Sequence, residues 1–233
     1  MNIIPAIDII DGQNVRLTQG DYGKKSAMAR TPEAAVKFYS GFKQVSRIHI
    51  IDLMGALKQD AKETTLVQKL KQKTHLPIQI GGGLRSIDTI EHYDAIGIDH
   101  FILGTRAIMD MEWLKSTVEK FPDRIFVGID ARQNDIYVNG WTENSGITID
   151  DYLTEIEDLA LAGIIYTDIA KDGMGQGPNL ENTGRINDLT HHTVIASGGI
   201  RNKEDLDALE AMGIHNAIVG KASHNDDFWR DIT

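Results

Sequence analysis

The chain has 233 residues, 41% of them apolar, which is enough for one large core and too much for a disordered segment. Its 24 basic and 34 acidic side chains leave a formal charge of −10, a balance that gives no support for nonspecific nucleic-acid binding. The absence of cysteine excludes disulfides, thiol catalysis and cysteine–zinc sites.

The opening MNIIPAIDII lacks a basic leader and carries Asp8 inside its apolar run, which disfavours a signal peptide. No stretch reaches the roughly 20 apolar residues that span a bilayer. A cytoplasmic chain with neither a membrane nor a nucleic-acid partner is therefore expected.

Eight short Ile/Val-rich runs follow one another: 3–8, 47–52, 76–80, 100–104, 124–130, 163–169, 193–197 and 216–220. They are apolar on successive residues, as parallel strands buried on both faces are. The intervening segments read as helices, with N-caps at Thr31 (before Pro32), Ser86, Thr148 and Asn202. Gly41, Gly97, Gly163 and Gly213 stand shortly before strands, where a helix ends on a left-handed residue. Two segments, 10–31 and 131–147, read as long loops. Such alternation means a doubly wound sheet or a closed barrel, and no GxGxxG follows the first strand.

An internal repeat favours the barrel. IGGGLRS and ASGGIRN place Gly82 and Gly198, Gly83 and Gly199, and Arg85 and Arg201 at an offset of 116. Gly97 and Gly213, Gly104 and Gly220, and Asp52 and Asp168 keep that offset, while Asp8 and Asp130 stand 122 apart. Two four-stranded halves closing on each other make one (β/α)8 barrel, an α/β fold expected to occupy residues 1–233 as a single domain.

In this fold the active site lies at the C-terminal strand ends. Asp8 ends the first strand and Asp130 the fifth, so the two face one mouth and can divide acid and base work. The competing role for each is to cap a loop. Gly82 and Gly83, and Gly198 and Gly199, follow strands three and seven. Gly104 with Thr105, and Gly220 with Lys221, follow strands four and eight. These positions suit backbone contacts to phosphate, though glycine also serves a plain tight turn. Two such sites facing each other suggest a small-molecule ligand with a phosphate at each end. Thr167 and Asp172 follow strand six, and Asp172 with Gly173 also reads as a turn. His49 suits a satisfied core position as well as a site. Arg16 and Trp141 lie in the two long loops, where closure over a ligand or simple anchoring would use them. No HxH or HExxH occurs, so no metal is expected, and His191 and His192 read as structural or solvated.

With these residues in place, the sequence resembles the histidine-biosynthesis isomerases. That family converts N′-[(5′-phosphoribosyl)formimino]-5-aminoimidazole-4-carboxamide ribonucleotide (ProFAR) to its phosphoribulosyl form. The resemblance covers nearly the whole chain, through IIPAIDIIDGQNVRLTQGDY, HIIDLMGA, IQIGGGLRS, ILGTRAI, VGIDAR, NGWTENS, YTDIAKDGMGQGPN, IASGGIRN and AIVGKA. It implies an Amadori rearrangement with Asp130 as general acid, Asp8 as general base and Thr167 assisting. Substrate contacts from Arg16, His49, Arg85, Trp141 and Asp172 are expected, with no cofactor and a chain acting as a monomer. Met174 departs from the threonine that the family often carries.

Three rival readings stay open. One is an isomerase that also takes phosphoribosylanthranilate, and another is a non-catalytic sugar-phosphate barrel. The third is the sister cyclase of the same pathway, against which Ala6, Ile7 and Asp8 and the YTDI segment speak.

Overall fold

The computed structural model describes residues 1–18, 21–58 and 62–232. In chain order the first half contains β1 (Asn2–Ile10), β2 (Gln13–Thr18), β3 (Asp21–Ala27), α1 (Pro32–Tyr39), β4 (Ile48–Asp52), α2 (Leu53–Lys58), α3 (Thr64–Lys71), β5 (Ile78–Gly81), α4 (Ile87–Ala95), β6 (His100–Leu103), α5 (Thr105–Met109) and α6 (Met111–Lys120). The second half contains β7 (Ile125–Arg132), β8 (Asp135–Val138), β9 (Glu143–Thr148), α7 (Ile149–Ile156), β10 (Gly163–Asp168), α8 (Leu180–Leu189), β11 (Val194–Ser197), α9 (Lys203–Ala211), β12 (Asn216–Val219), a 3-10 turn over Lys221–His224 and α10 (Asp226–Ile232).

The eight predicted strands are β1, β4, β5, β6, β7, β10, β11 and β12. Each pairs in parallel with the next, and β12 returns to β1 through Ile4 opposite Ile218. The sheet therefore closes into a (β/α)8 barrel. Closure removes edge strands and buries each strand on both faces, which is why the runs read as continuously apolar. Ile3, Ile7 and Ile9 of β1 pack with the helices in the large outer core. Ile4 and Ala6 pack inside the barrel with Ile102, Phe126, Ile165, Ile195 and Ile218. Truncating one of these fully buried isoleucines to alanine is expected to cost about 2–5 kcal/mol.

The predicted caps form as the residue types require. The side chains of Thr31, Ser86, Thr148 and Asn202 accept from the backbone N–H of Ala34, Thr89, Asp151 and Asp205. Each supplies a partner to an otherwise orphaned N–H, worth about 1 kcal/mol.

Two expectations need correction. The segments read as loops are largely β-hairpin. β2 runs antiparallel to the end of β1, with Asp8 opposite Val15, and β8 runs antiparallel to the end of β7. Asp11 and Gly12 both take positive φ, the turn that matches strand twist in a two-residue hairpin. Among the glycines, Gly97 and Gly213 are left-handed as expected, whereas Gly41 is not. There α1 closes instead on Ser40, whose hydroxyl donates to the Val36 carbonyl. Gly163 begins β10 rather than ending a helix. A Cβ on it would meet the Thr193 carbonyl oxygen at 2.5 Å, so close strand packing requires the glycine.

Candidate active site

Strand alternation decides which acidic residues reach the interior. Successive side chains point to opposite faces. Ile4 and Ala6 face inward, so Asp8 does as well. Phe126 and Ile165 likewise place Asp130 and Thr167 inside. Asp52 and Asp168 fall on the other face and brace βα loops. Asp52 accepts from the N–H of Gly55 at 2.6 Å and of Glu63 at 2.9 Å. Asp168 accepts from the Ala170 N–H at 2.9 Å and from Asn179 Nδ2 at 2.7 Å. The repeat thus marks two kinds of aspartate, and only the Asp8 and Asp130 kind opens into the barrel.

A cavity of about 540 Å³ occupies the C-terminal mouth, and all sixteen residues singled out above line it. One end carries Gly82, Gly83, Gly104 and Thr105, with Arg85 and Arg106 beside them. The other carries Gly198, Gly199, Gly220 and Lys221, with Arg201. These ends stand four strands apart, on opposite sides of the ring. Neither α5 nor the 3-10 turn has a side-chain cap at its start, so their first N–H groups are free of an internal side-chain acceptor. Gly82 and Gly198 also have a backbone task. Each takes positive φ and passes under the carbonyl of Asp52 or Asp168. A Cβ would meet those oxygens at 2.1 Å and 3.0 Å.

Asp8 and Asp130 lie between these ends in unequal surroundings. Arg16, carried by β2, donates through Nη1 to Asp8 at 2.9 Å and through Nη2 to both oxygens of Asp172 at 2.7 and 2.9 Å. Its guanidinium lies against Gly220, where a Cβ would meet Cζ at 2.9 Å. Burial raises the Asp8 carboxyl above its ordinary range, Arg16 opposes that rise and Asp172 adds to it. Burial also raises Asp130, against hydrogen bonding from the neutral side chains of Trp141 and Thr167, and Asp172 again adds to the rise. Asp8 therefore has a cation that favours its ionised form, while the donors acting on Asp130 are neutral.

His49 faces inward from β4. Gln79 lies behind it, within reach of Arg47 Nη1 at 3.4 Å through Oε1 and of His49 Nδ1 at 2.8 Å through Nε2. Gln79 is thereby the donor, so His49 Nδ1 accepts and its proton sits on Nε2. Burial, with Arg16 nearby, lowers the imidazole to about 3, so the ring is neutral. Trp141 is held by a loop in which Asn139, Gly140 and Trp141 all take positive φ. Met174 is exposed.

Arg106, Arg201 and Tyr22 line the cavity without having been singled out as site residues. Arg201 carried a signal in its repeat partner Arg85. Arg106 carried none, because Ala222 stands at its offset. Tyr22 reaches the mouth only through the unforeseen hairpin, with its hydroxyl donating to the Leu53 carbonyl at 2.7 Å.

Closed barrel, inward strand-end carboxylates and two glycine-turned rims define the class: an α/β barrel with a buried, charged mouth at its C-terminal face. Within that class, the model of the family described as histidine biosynthesis protein matches residues 2–229, and the chain belongs to that family. It is accordingly an enzyme of histidine biosynthesis. No helix among the described residues is long and apolar enough to cross a membrane.

Proposed function

We propose that this chain is the isomerase that converts the aminoaldose ProFAR to its aminoketose by an Amadori rearrangement. The observation that carries the reading is the unequal pair Asp8 and Asp130, set between two matched rims of one cavity. Two rims suit a substrate with a phosphate at each end. Backbone N–H groups and Lys221 serve one phosphate, and the Gly82, Gly83, Gly104 and Thr105 rim serves the other.

In this scheme Asp130 gives its proton to the ribose ring oxygen. The C1–O bond breaks and the nitrogen lone pair forms the Schiff base. Asp8 then removes the C2 proton, the electron pair of that bond moves into a C1–C2 double bond, and an enolamine results. Protonation at C1 with loss of the hydroxyl proton gives the ketone. Arg16 supports the assignment of Asp8 as base, since a cation at 2.9 Å keeps that carboxylate available to accept a proton. The raised Asp130, with only neutral donors, suits the acid. Thr167 steadies Asp130, neutral His49 offers an N–H to the sugar, and Arg85 and Trp141 engage the planar carboxamide part. No metal or organic cofactor enters this scheme, and the chain works as a cytoplasmic monomer.

The test is direct conversion of the aminoaldose bisphosphate by purified protein, followed as formation of the ketose. Asp8→Asn and Asp130→Asn should each lower turnover by ~10² or more, the scale of general acid–base catalysis. Circular dichroism should stay unchanged. No ketose from the wild-type chain would sink the reading, and full turnover in either variant would reject that residue's role.

A further inference from the structure

Glu157, His191 and His192 lie on the face of the barrel opposite the mouth, at the end of α7 and in the segment entering β11. Each offers one ligand atom, and the three atoms lie within 4.8 Å of one another. No other such group of three or more occurs among the described residues. The two imidazole centroids are 4.3 Å apart. We propose that these three side chains form a binding site for a borderline divalent cation of the zinc class, remote from the catalytic mouth.

The donor chemistry fits. Two imidazoles and a carboxylate are ligands zinc accepts, and water can complete a four-coordinate shell. His192 is buried, and its Nε2 contacts the Ile156 carbonyl oxygen at 3.0 Å. A carbonyl only accepts, so the proton is on Nε2 and Nδ1 keeps its lone pair. An imidazole fixed through its far nitrogen by a carbonyl is the usual support of a metal-binding histidine. His191 Nδ1 lies 2.6 Å from Glu157 Oε1 and is exposed, so a cation can replace the proton shared there. Glu157 is fixed beside the two rings by the Thr190 hydroxyl at 2.6 Å and the His191 backbone N–H at 2.8 Å, so its carboxylate is already oriented toward them.

The half-barrel repeat supplies an internal control. Glu157 is the C-cap of α7, and Ser40 is the C-cap of the equivalent α1. Thr74, His75 and Leu76 stand 116 residues before Thr190, His191 and His192. Both turns close in the same way. The Leu76 N–H donates to Thr74 Oγ1 at 3.0 Å, and the His192 N–H donates to Thr190 Oγ1 at 3.1 Å. Thr74 then meets the Ser40 hydroxyl at 2.7 Å, where Thr190 meets Glu157 at 2.6 Å. A serine and a leucine thus suffice to build this turn. The carboxylate and the second imidazole exceed what the fold requires, and together with His191 they create the converging donors. A bound cation would staple the end of α7 to the entry of β11.

Untagged full-length protein titrated with ZnCl2 in a calorimeter should bind one equivalent saturably. CoCl2 should give visible absorption bands of a nitrogen- and oxygen-ligated site that zinc displaces. His191→Ala, at an exposed position that leaves the core intact, should weaken zinc at least ~10-fold and abolish the bands. Glu157→Gln should do the same, and zinc should raise Tm in the wild type but not in His191→Ala. Asp8→Asn should bind zinc as the wild type does, which separates this site from the mouth. Absence of saturable binding, binding undiminished in His191→Ala or Glu157→Gln, or loss of binding in Asp8→Asn would each overturn the proposal.

Discussion

Gly82 turns under Asp52 in the first half of the barrel, and Arg85 extends from it into the cavity with one long contact, 3.3 Å to Asn139 Oδ1. Gly198 turns under Asp168 in the second half, but Arg201 there is forked onto Asp205, with Nε at 2.9 Å and Nη2 at 2.7 Å. Thr89 stands where a first-half Asp205 would be. The backbone frame is the same, and what differs is which cation is committed to the protein. The repeat gives the two halves one architecture, and their side-chain differences decide which groups remain available to a ligand.

The frame itself can be broken unequally. Gly82→Ala places a Cβ 2.1 Å from the Asp52 carbonyl oxygen at positive φ, whereas Gly198→Ala meets the Asp168 oxygen at 3.0 Å. The first should cost about 2 kcal/mol or more and the second roughly half of that. In a domain of this size each kcal/mol shifts Tm by roughly 2–4 °C. Thermal denaturation of both variants checks the difference, and equal losses would mean that the two turns are under the same constraint.

The arginine comparison comes next in size. Arg85→Ala should raise KM for the proposed bisphosphate by about 10–100-fold with little change in Tm, the scale of a lost charge-assisted hydrogen bond. Arg201→Ala should lower Tm instead, because it leaves the buried Asp205 carboxylate without its cation. Steady-state kinetics beside a melting curve reads both. A KM effect from Arg201→Ala as large as that from Arg85→Ala would erase the distinction.

The smallest effect concerns the central pair. Burial raises Asp130 in the folded state, so the folded chain holds that proton more tightly than the unfolded one. Its stability contribution is therefore fullest below the ordinary carboxylate range and is lost as pH rises through the folded value. Asparagine carries no such penalty. Asp130→Asn should raise Tm at pH 7, a gain that disappears near pH 3, where folded and unfolded chains both hold the proton. Asp8→Asn should gain less, since Arg16 already compensates that carboxylate. Equal gains in the two variants would show that Arg16 does not separate them.

The strands were legible because burial on both faces leaves a continuous apolar run, and the caps because Thr31, Ser86, Thr148 and Asn202 have few other reasons to stand at those points. The offset of 116 brought out the two rims before any coordinates. The hairpins were not legible. β2 (QNVRLT) and β8 (DIYV) are short and mix polar with apolar residues instead of forming a continuous apolar run, and their pairing depends on a parent strand that continues past the barrel rim. Partners in space were equally hidden. Nothing near Arg16 in sequence points to Asp172, 156 residues away, and nothing near His191 points to Glu157, 34 residues away. Those contacts follow from closure, which sets the ring order of the strands and not only their local pattern.

The backbone frame that the two rims share gives the cavity no direction of its own. A molecule with a phosphate at each end would enter it either way round, and half of those encounters would be unproductive. Arg16 ends that equivalence. It sits beside one rim, at Gly220, and holds one carboxylate of the pair, while the opposite hairpin presents Trp141 to the other. The barrel thereby acquires a polarity, and a backward-bound substrate becomes a competitor of the forward one rather than its equal.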